Sequence, residues 1–475
     1  MEQVLTRDAR QRVHEAAREL LAEAGMRVEH ETARDELERA GATVDGKRVT
    51  LPPDLLAEAV EGAPESFRWR ARDPEKSVTV GEGDPVVTPT RGPRYVKRPG
   101  EPRHRATLSD FDDLLQVCHE EPTIDVVGYD LCSPEGYSLP GNPGGYEEAT
   151  VGYELLKRLF LGTDKPILAS ARSGDEARAS LEMARAAFGA DHLDDPVVLG
   201  ILHARSPRVF NYPMVDGLLA FARAGQPLVV ASGAIPGASA PVSLSEALVQ
   251  LTAESLFGVS LVQFANPGSP VVFGGSTAAY DWHADALTSG TPRGSTLQTA
   301  AVEMADFYGL PARGRGGVTD SKAIGTQSGG ESTFNLVRAV DSGADLLVCA
   351  TGGLDGYGTI SPEKTVLDAA RIRALSQSRS DRRALADALE SRPSLERIRA
   401  AEPGDSFFDE RDPASISDAT TFADDLAVRG SHESWIDAGE PDAVELAIER
   451  VQTLLDRYDR PPIEADREAA LKERG

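Results

Sequence analysis

Three cysteines in 475 residues, Cys118, Cys132 and Cys349, make no CxxC pair and no disulfide framework, which suits a reducing compartment. No uninterrupted apolar run reaches the ~18–20 residues of a membrane span, which argues against an integral membrane protein. The eight histidines include no HxH or HExxH, and no second ligand lies near His203, so zinc has weak support and no metal site is expected. Lysine is scarce. Arginine supplies most of the 50 cationic residues, against 76 acidic ones, for a net charge of −26. A surface of that sign repels phosphate backbones and excludes general nucleic-acid binding. The acid excess has two readings: haloadaptation, in which a carboxylate-rich surface stays hydrated in concentrated salt, and an ordinary acidic protein. The opening stretch, MEQVLTRDARQRVHEAAREL, is charged and lacks the apolar centre of a secretory signal, so the expected location is the cytoplasm.

What is present reads as alternation. Residues 9–24 form an amphipathic helix stopped by Gly25, residues 31–40 a second ending at Gly41, and residues 53–63 a third opening on a proline pair. Between the second and third helices, DGKRVTLP makes a turn into a short strand. From about residue 81 a β-branched apolar run, a loop rich in Gly, Ser or Pro, and a helix recur. The runs are 85–89, 124–128, 166–170, 196–201, 227–232, 270–274, 312–319 and 344–351. Helical patterns lie between most of them, as at 243–256 and 294–308. Apolar strands alternating with helices indicate a parallel sheet buried on both faces, and eight such units indicate a (β/α)8 TIM barrel. A doubly wound open sheet is the rival, disfavoured because the first βα turn has no GxGxxG. The expected organisation is an N-terminal helical cap over residues 1–80, the barrel over 81–375, and a C-terminal helical extension over 376–475. The extension's last helix, 442–458, is expected to pack on the barrel or on a neighbouring subunit of a homo-oligomer.

In a barrel the site lies at the C-terminal ends of the strands. The loops there carry His203, Arg208, Phe210 and Tyr212; then Tyr280, Asp281, Trp282 and His283; then Asp320, Lys322, Gln327 and Glu331; then Asp355 and Tyr357. They offer carboxylates, amides and aromatics but no nucleophile–base dyad. That inventory suits a small cationic ligand, neutralised by carboxylates and attracted to aromatic faces at ~0.5–2 kcal/mol each. Asp320, Lys322, Gln327, Glu331, Tyr280 and Trp282 are therefore the expected substrate-binding residues, with no catalytic residue assigned. Asp320 would neutralise an ammonium group and Lys322 would pair a carboxylate. Each has a plainer reading: Lys322 as a salt-bridged rim residue, Glu331 as a helix cap, Tyr280 and Trp282 as packing under a loop, and His203 as a structural histidine.

The segment GGVTDSKAIGTQSGGE (316–331) resembles the Gly-x-Thr-Asp-Ser-Lys … Gln-x-x-x-Glu segment of the trimethylamine methyltransferase family. The resemblance runs along nearly the whole chain, through 14–56, ARDPEK (71–76), GASAPVSLSEALVQLTAE (237–254), NPGSPVVFG (266–274), YGLPARG (308–314) and SPEKTVLD (361–368). It implies a TIM barrel and methyl transfer from a methylated amine to the cobalt of a separate corrinoid protein. Members acting on trimethylamine carry pyrrolysine in the barrel. This chain has only the twenty ordinary residues and so resembles the non-pyrrolysine branch, whose members demethylate quaternary amines such as glycine betaine. It departs from many relatives at Leu347-Val348-Cys349-Ala350, where they have a Leu-His-Ala segment.

The expected function is thus transfer of a methyl group from a betaine-like quaternary amine to Co(I). The corrinoid comes on the partner protein, since the chain has no DxHxxG cobalamin signature and is expected to bind no cofactor itself. Two alternatives stand: a catalytically silent betaine-binding paralogue, suggested by Cys349, and a barrel lyase or aldolase using Lys322 as a Schiff base.

Overall fold

Apolar, β-branched runs punctuated by proline and glycine fold as eight parallel strands in the computed structural model of the chain, which describes residues 3–137, 150–275, 278–404 and 426–474. The strands are β1 (Val86–Pro89), β2 (Val127–Gly128), β3 (Ile167–Ser170), β4 (Val198–Ala204), β5 (Leu228–Ser232), β6 (Val271–Gly275), β7 (Ala312–Arg315) and β8 (Leu346–Thr351). Parallel ladders join β2 through β8 in chain order and β8 to β1. The cylinder closes between β1 and β2, where the Asp125 and Val126 N–H groups donate to the Val87 carbonyl at 3.1 and 3.2 Å. The architecture is the (β/α)8 barrel read from the sequence, and every expected run overlaps its strand, with β4 and β6 running three residues and one residue past the expected ends.

Three helices precede the barrel. Helix α1 (Arg7–Glu19) starts at Thr6, whose side chain accepts the Ala9 N–H, and runs into a π-helical turn at Leu20–Ala24. Gly25 ends that turn at φ 62°, and a Cβ there would lie 2.2 Å from the Val49 carbonyl oxygen, so only glycine fits. Helices α2 (Glu31–Ala40) and α3 (Pro53–Glu61) follow, and all three pack on the outside of the barrel.

Outer helices α4 (Leu108–Glu120), α5 (Thr150–Gly162), α6 (Gly174–Phe188), α7 (Tyr212–Arg223), α8 (Leu244–Ala265), α9 (Pro292–Phe307), α10 (Thr326–Asp341) and α11 (Pro362–Leu389) each follow one strand. Helix α8 is long and apolar enough to cross a membrane by composition. It is buried along almost its whole length, because α1, α3, α7 and α9 cover the sides that β5 and β6 do not. It also runs nine residues beyond the sequence pattern, since an all-round apolar helix shows no amphipathic edge to mark its end. Helix Ala443–Arg457 packs on α4 and α11, and helix Ala465–Glu473 on α5 and α6.

The N-terminal end of the barrel is plugged. Strands Phe67–Trp69 and Val78–Val80 form an antiparallel hairpin. Its Phe67, Trp69 and Val80 join one buried cluster with Val86, Leu168, Leu199, Val229, Val272 and Leu346 from the strands. Trp69 is fully buried and its indole N–H donates to the Val197 carbonyl at 3.2 Å. Trp69→Ala is expected to cost about 3–5 kcal/mol in urea unfolding. A loss under about 1 kcal/mol would mean the plug is dispensable.

Candidate active site at the barrel mouth

Register fixes what faces the lumen. Ladder pairing puts His203 (β4), Ala231 (β5), Gly274 (β6) and Arg313 (β7) side by side in one inward-facing row. The two small residues between His203 and Arg313 leave room above the apolar floor of Ile201, Val229 and Val272. A Cβ on Gly274 would meet the Arg313 side chain at 2.7 Å, so glycine lets that arginine lie across the lumen. The room continues into a cavity of about 880 Å³ whose walls include Tyr129, Ser170, Arg172, Glu176, Ile201 and His203, reaching Tyr153 and Leu156 of α5 and Met214 of α7.

Three guanidiniums surround His203. Arg91 makes two hydrogen bonds to Asp130, both 3.1 Å. Arg172 lies 3.6 Å from Glu176 and 5.5 Å over the Tyr129 ring. Its Nε and one terminal nitrogen are sealed from solvent without a hydrogen bond to any described residue, as are the Tyr129 hydroxyl and one Glu176 oxygen. Arg313, 3% exposed, forms no ion pair with any described carboxylate. One terminal nitrogen donates to the Gly275 carbonyl, and its Nε has no partner among the described residues. A buried charge left uncompensated costs several kcal/mol, and among the described residues no carboxylate compensates Arg313.

The same environment sets protonation. Burial, reinforced by Arg313, Arg91 and Arg172, pushes the His203 pKa down to about 3, so its imidazole is neutral at physiological pH. Among the described residues it makes no hydrogen bond, which leaves both ring nitrogens for a ligand. Ligand binding is expected to be flat from about pH 5 to 8, and a step near the ordinary histidine value in a calorimetric pH series would contradict this. Burial raises the Glu176 carboxyl and the Cys349 thiol, the latter against the pull of Arg313 and Arg91. Cys349 sits at φ 58°, where the β8 ladder shifts register. Tyr357, half-buried, neighbours Arg315.

Of the residues singled out in the sequence, His203 lies in the lumen, whereas Asp320, Lys322, Gln327, Glu331, Tyr280 and Trp282 lie on the segments that follow β6 and β7. The Asp320 carboxylate accepts the Ser289 and Gly290 N–H groups at 2.7 and 2.8 Å. Glu331 accepts the Thr319 hydroxyl at 2.5 Å, the Asp320 N–H at 2.8 Å and the Gln327 amide at 2.9 Å. Burial raises its pKa, but these donors outweigh burial and the net shift is down. Asp320, Gln327 and Glu331 are thus one hydrogen-bonded group. Lys322 is 73% exposed, donates to the Asp320 carbonyl and pairs with Asp355 at 2.5 Å. Tyr280 and Trp282 meet edge to face at 4.9 Å on the hairpin of Ala279–Asp281 and Ala286–Thr288, with Trp282 72% exposed and Tyr280 bonded to Asp285.

Buried polar side chains hold the strand ends. Lys364 donates to the Gly317 carbonyl and Ser332 at 2.9 Å and to Asp368 at 2.5 Å, while Asp368 accepts the Gly352 N–H. Glu254, wholly buried, accepts Ser206, Ser232, the Arg208 N–H and Gln250. The lumen arginines escaped the sequence reading, although one signal was present. Arg313 and Arg315 alternate inside an otherwise buried strand, which places both on one face.

Residues 1–474 match the family described as Trimethylamine methyltransferase (MTTB). The chain is 27% identical to the glycine betaine methyltransferase of Desulfitobacterium hafniense (strain Y51), over 99% of this chain and 95% of that one. It is 26% identical to the proline betaine:corrinoid methyltransferase of Eubacterium limosum, over 77% and 75%. Among solved structures it shares the fold of the Methanosarcina barkeri monomethylamine methyltransferase (MtmB), with a TM-score of 0.52 at 11% identity over 95% of this chain and 89% of that one.

Proposed function

Since the chain belongs to the trimethylamine methyltransferase family and is a methyltransferase, we propose that it moves a methyl group from a betaine-like quaternary amine to the Co(I) of a corrinoid held by a partner protein. The observation that carries this reading is the buried Arg313, which has no carboxylate partner among the described residues, beside neutral His203. A betaine supplies the missing anion as its carboxylate. The arginines repel its ammonium end, which therefore points out of the lumen, toward the mouth where the partner docks.

Little else is asked of the protein. A Co(I) corrinoid is a strong nucleophile that needs no base. The C–N electron pair stays on nitrogen, which leaves as a neutral tertiary amine and needs no acid. The chain's own work is to fix the carboxylate, exclude water and hold one N–CH3 bond in line with the mouth. In this reading Asp320, Gln327 and Glu331 brace the rim that shapes the amine site, and Lys322, Tyr280 and Trp282 form its outer edge.

The aldolase alternative asks for a lysine in a desolvated pocket. Lys322 is exposed and ion-paired, and buried Lys165 and Lys364 are each held by backbone carbonyls. The silent-paralogue alternative rests on Cys349 in the lumen. The test is spectroscopic: with the corrinoid protein held as Co(I), a quaternary amine yields one methylated corrinoid per cobalt. No methylation from any donor, with an active partner, puts the silent paralogue in its place.

A further inference from the structure

We propose that the cationic segment 91–105 is the docking surface for an acidic face of the corrinoid-carrying partner, an inference that rests on the function proposed above. Arg91, Arg94, Lys97, Arg98, Arg103 and Arg105 fall within fifteen residues, against one carboxylate, Glu101. In a chain of net charge −26 this is a local inversion of sign.

The segment is built into the mouth. It follows β1, and its strands Tyr95–Val96 and His104–Arg105 extend a four-stranded sheet whose other strands, Gly353–Leu354 and Thr359–Ile360, follow β8. Arg103 stacks 4.1 Å over Tyr95 and Arg105 lies 5.3 Å from the same ring, which stiffens the platform. Two of the cations have internal duties: Arg91 turns inward to Asp130, and Arg98 pairs with Asp113 and Glu363 at 2.8 and 3.2 Å. Arg94, Lys97 and Arg105, all partly exposed, form no ion pair with a described carboxylate. Arg103 and Lys322 share the single carboxylate of Asp355, at 2.8 and 2.5 Å. Among the described residues, Arg94, Lys97 and Arg105 are thus left without a carboxylate at the place where the methyl acceptor must approach.

Electrostatics then selects the approach. An acidic partner is repelled by the carboxylate-rich remainder of the surface and attracted here, which sets orientation and association rate. At 1 M salt, screening over ~3 Å removes long-range steering but leaves contact pairs, for which guanidinium forks are suited.

The test uses the full-length protein and the corrinoid protein encoded nearest to it. Partner binding is read by interferometry, and glycine betaine binding separately by calorimetry. The triple reversal Arg94→Glu, Lys97→Glu, Arg105→Glu is expected to weaken partner binding tenfold or more and to leave the betaine Kd unchanged. Lys47→Glu, in the exposed turn of another hairpin, is expected to change neither. The milder pair Arg94→Gln, Lys97→Gln keeps Arg105 on Tyr95 and is expected to weaken partner binding severalfold if the triple variant fails to fold. Partner binding equal to wild type in these variants overturns the docking surface, as does a wild type that binds betaine but no corrinoid protein. Segment-dependent partner binding without methyl transfer overturns the proposed function and leaves the surface standing.

Discussion

Arg313→Met is expected to make the unliganded protein more stable and to abolish its preference for carboxylated amines. The guanidinium is buried without a carboxylate partner among the described residues, so an apolar side chain of similar length removes a desolvation cost. Comparable replacements of buried ionic groups are neutral or stabilising by about 1–4 kcal/mol. The same change removes the proposed partner of the substrate carboxylate. Truncating one side of such a buried pair costs about 2–5 kcal/mol, or roughly 30- to 5,000-fold in Kd. Opposite signs in the two measurements distinguish a binding residue from a structural one, whose loss lowers both stability and affinity. Lys322→Met, at an exposed and already paired lysine, is expected to leave stability unchanged and to shift betaine affinity far less. Calorimetric titration and thermal melts of the two variants check both statements. A destabilised Arg313→Met that binds betaine normally contradicts them.

Raising KCl from low to molar concentration is expected to raise the melting temperature by several degrees and activity with it, as the haloadapted reading of the sequence implies. The excess of 76 acidic over 50 basic residues is a self-repulsion that acts mainly on the folded state, where the carboxylates are brought together. Screening shortens its reach to ~3 Å at 1 M. Buried pairs such as Arg91–Asp130 and Lys364–Asp368 are largely protected from that screening and keep the site intact. A flat or falling melting curve across this range assigns the composition to an ordinary acidic protein.

The barrel was legible because its signal is repeated and local. Each strand is an apolar run fenced by proline or glycine, and the helices before the barrel were marked in the same way by Gly25, Gly41 and the Pro52-Pro53 pair. The plug was not legible. Phe67–Trp69 and Val78–Val80 are three residues each, too short for a period, and only the tertiary fold reveals that they close the barrel floor. The rim was legible as chemistry-bearing residue types after strand ends. What those side chains bond to was not, since Asp320 meets Ser289 and Gly290 from a loop some thirty positions away. The lumen was hidden for a different reason. Arginines close to strand ends read as surface, and only inward register, set by Ala231 and Gly274 beside them, makes Arg313 a buried cation.

The most direct measurement is donor selectivity in a single turnover. The corrinoid partner is held as Co(I), and absorbance follows cobalt methylation with glycine betaine, proline betaine, carnitine, choline and trimethylamine. A quaternary nitrogen is permanently activated as a leaving group, whereas a tertiary amine must first be protonated or otherwise made electrophilic. The carboxylated quaternary amines are therefore predicted to methylate cobalt once per site, choline far more slowly for want of a carboxylate to meet Arg313, and trimethylamine least. Robust turnover of trimethylamine, with none of the quaternary compounds, would contradict the account.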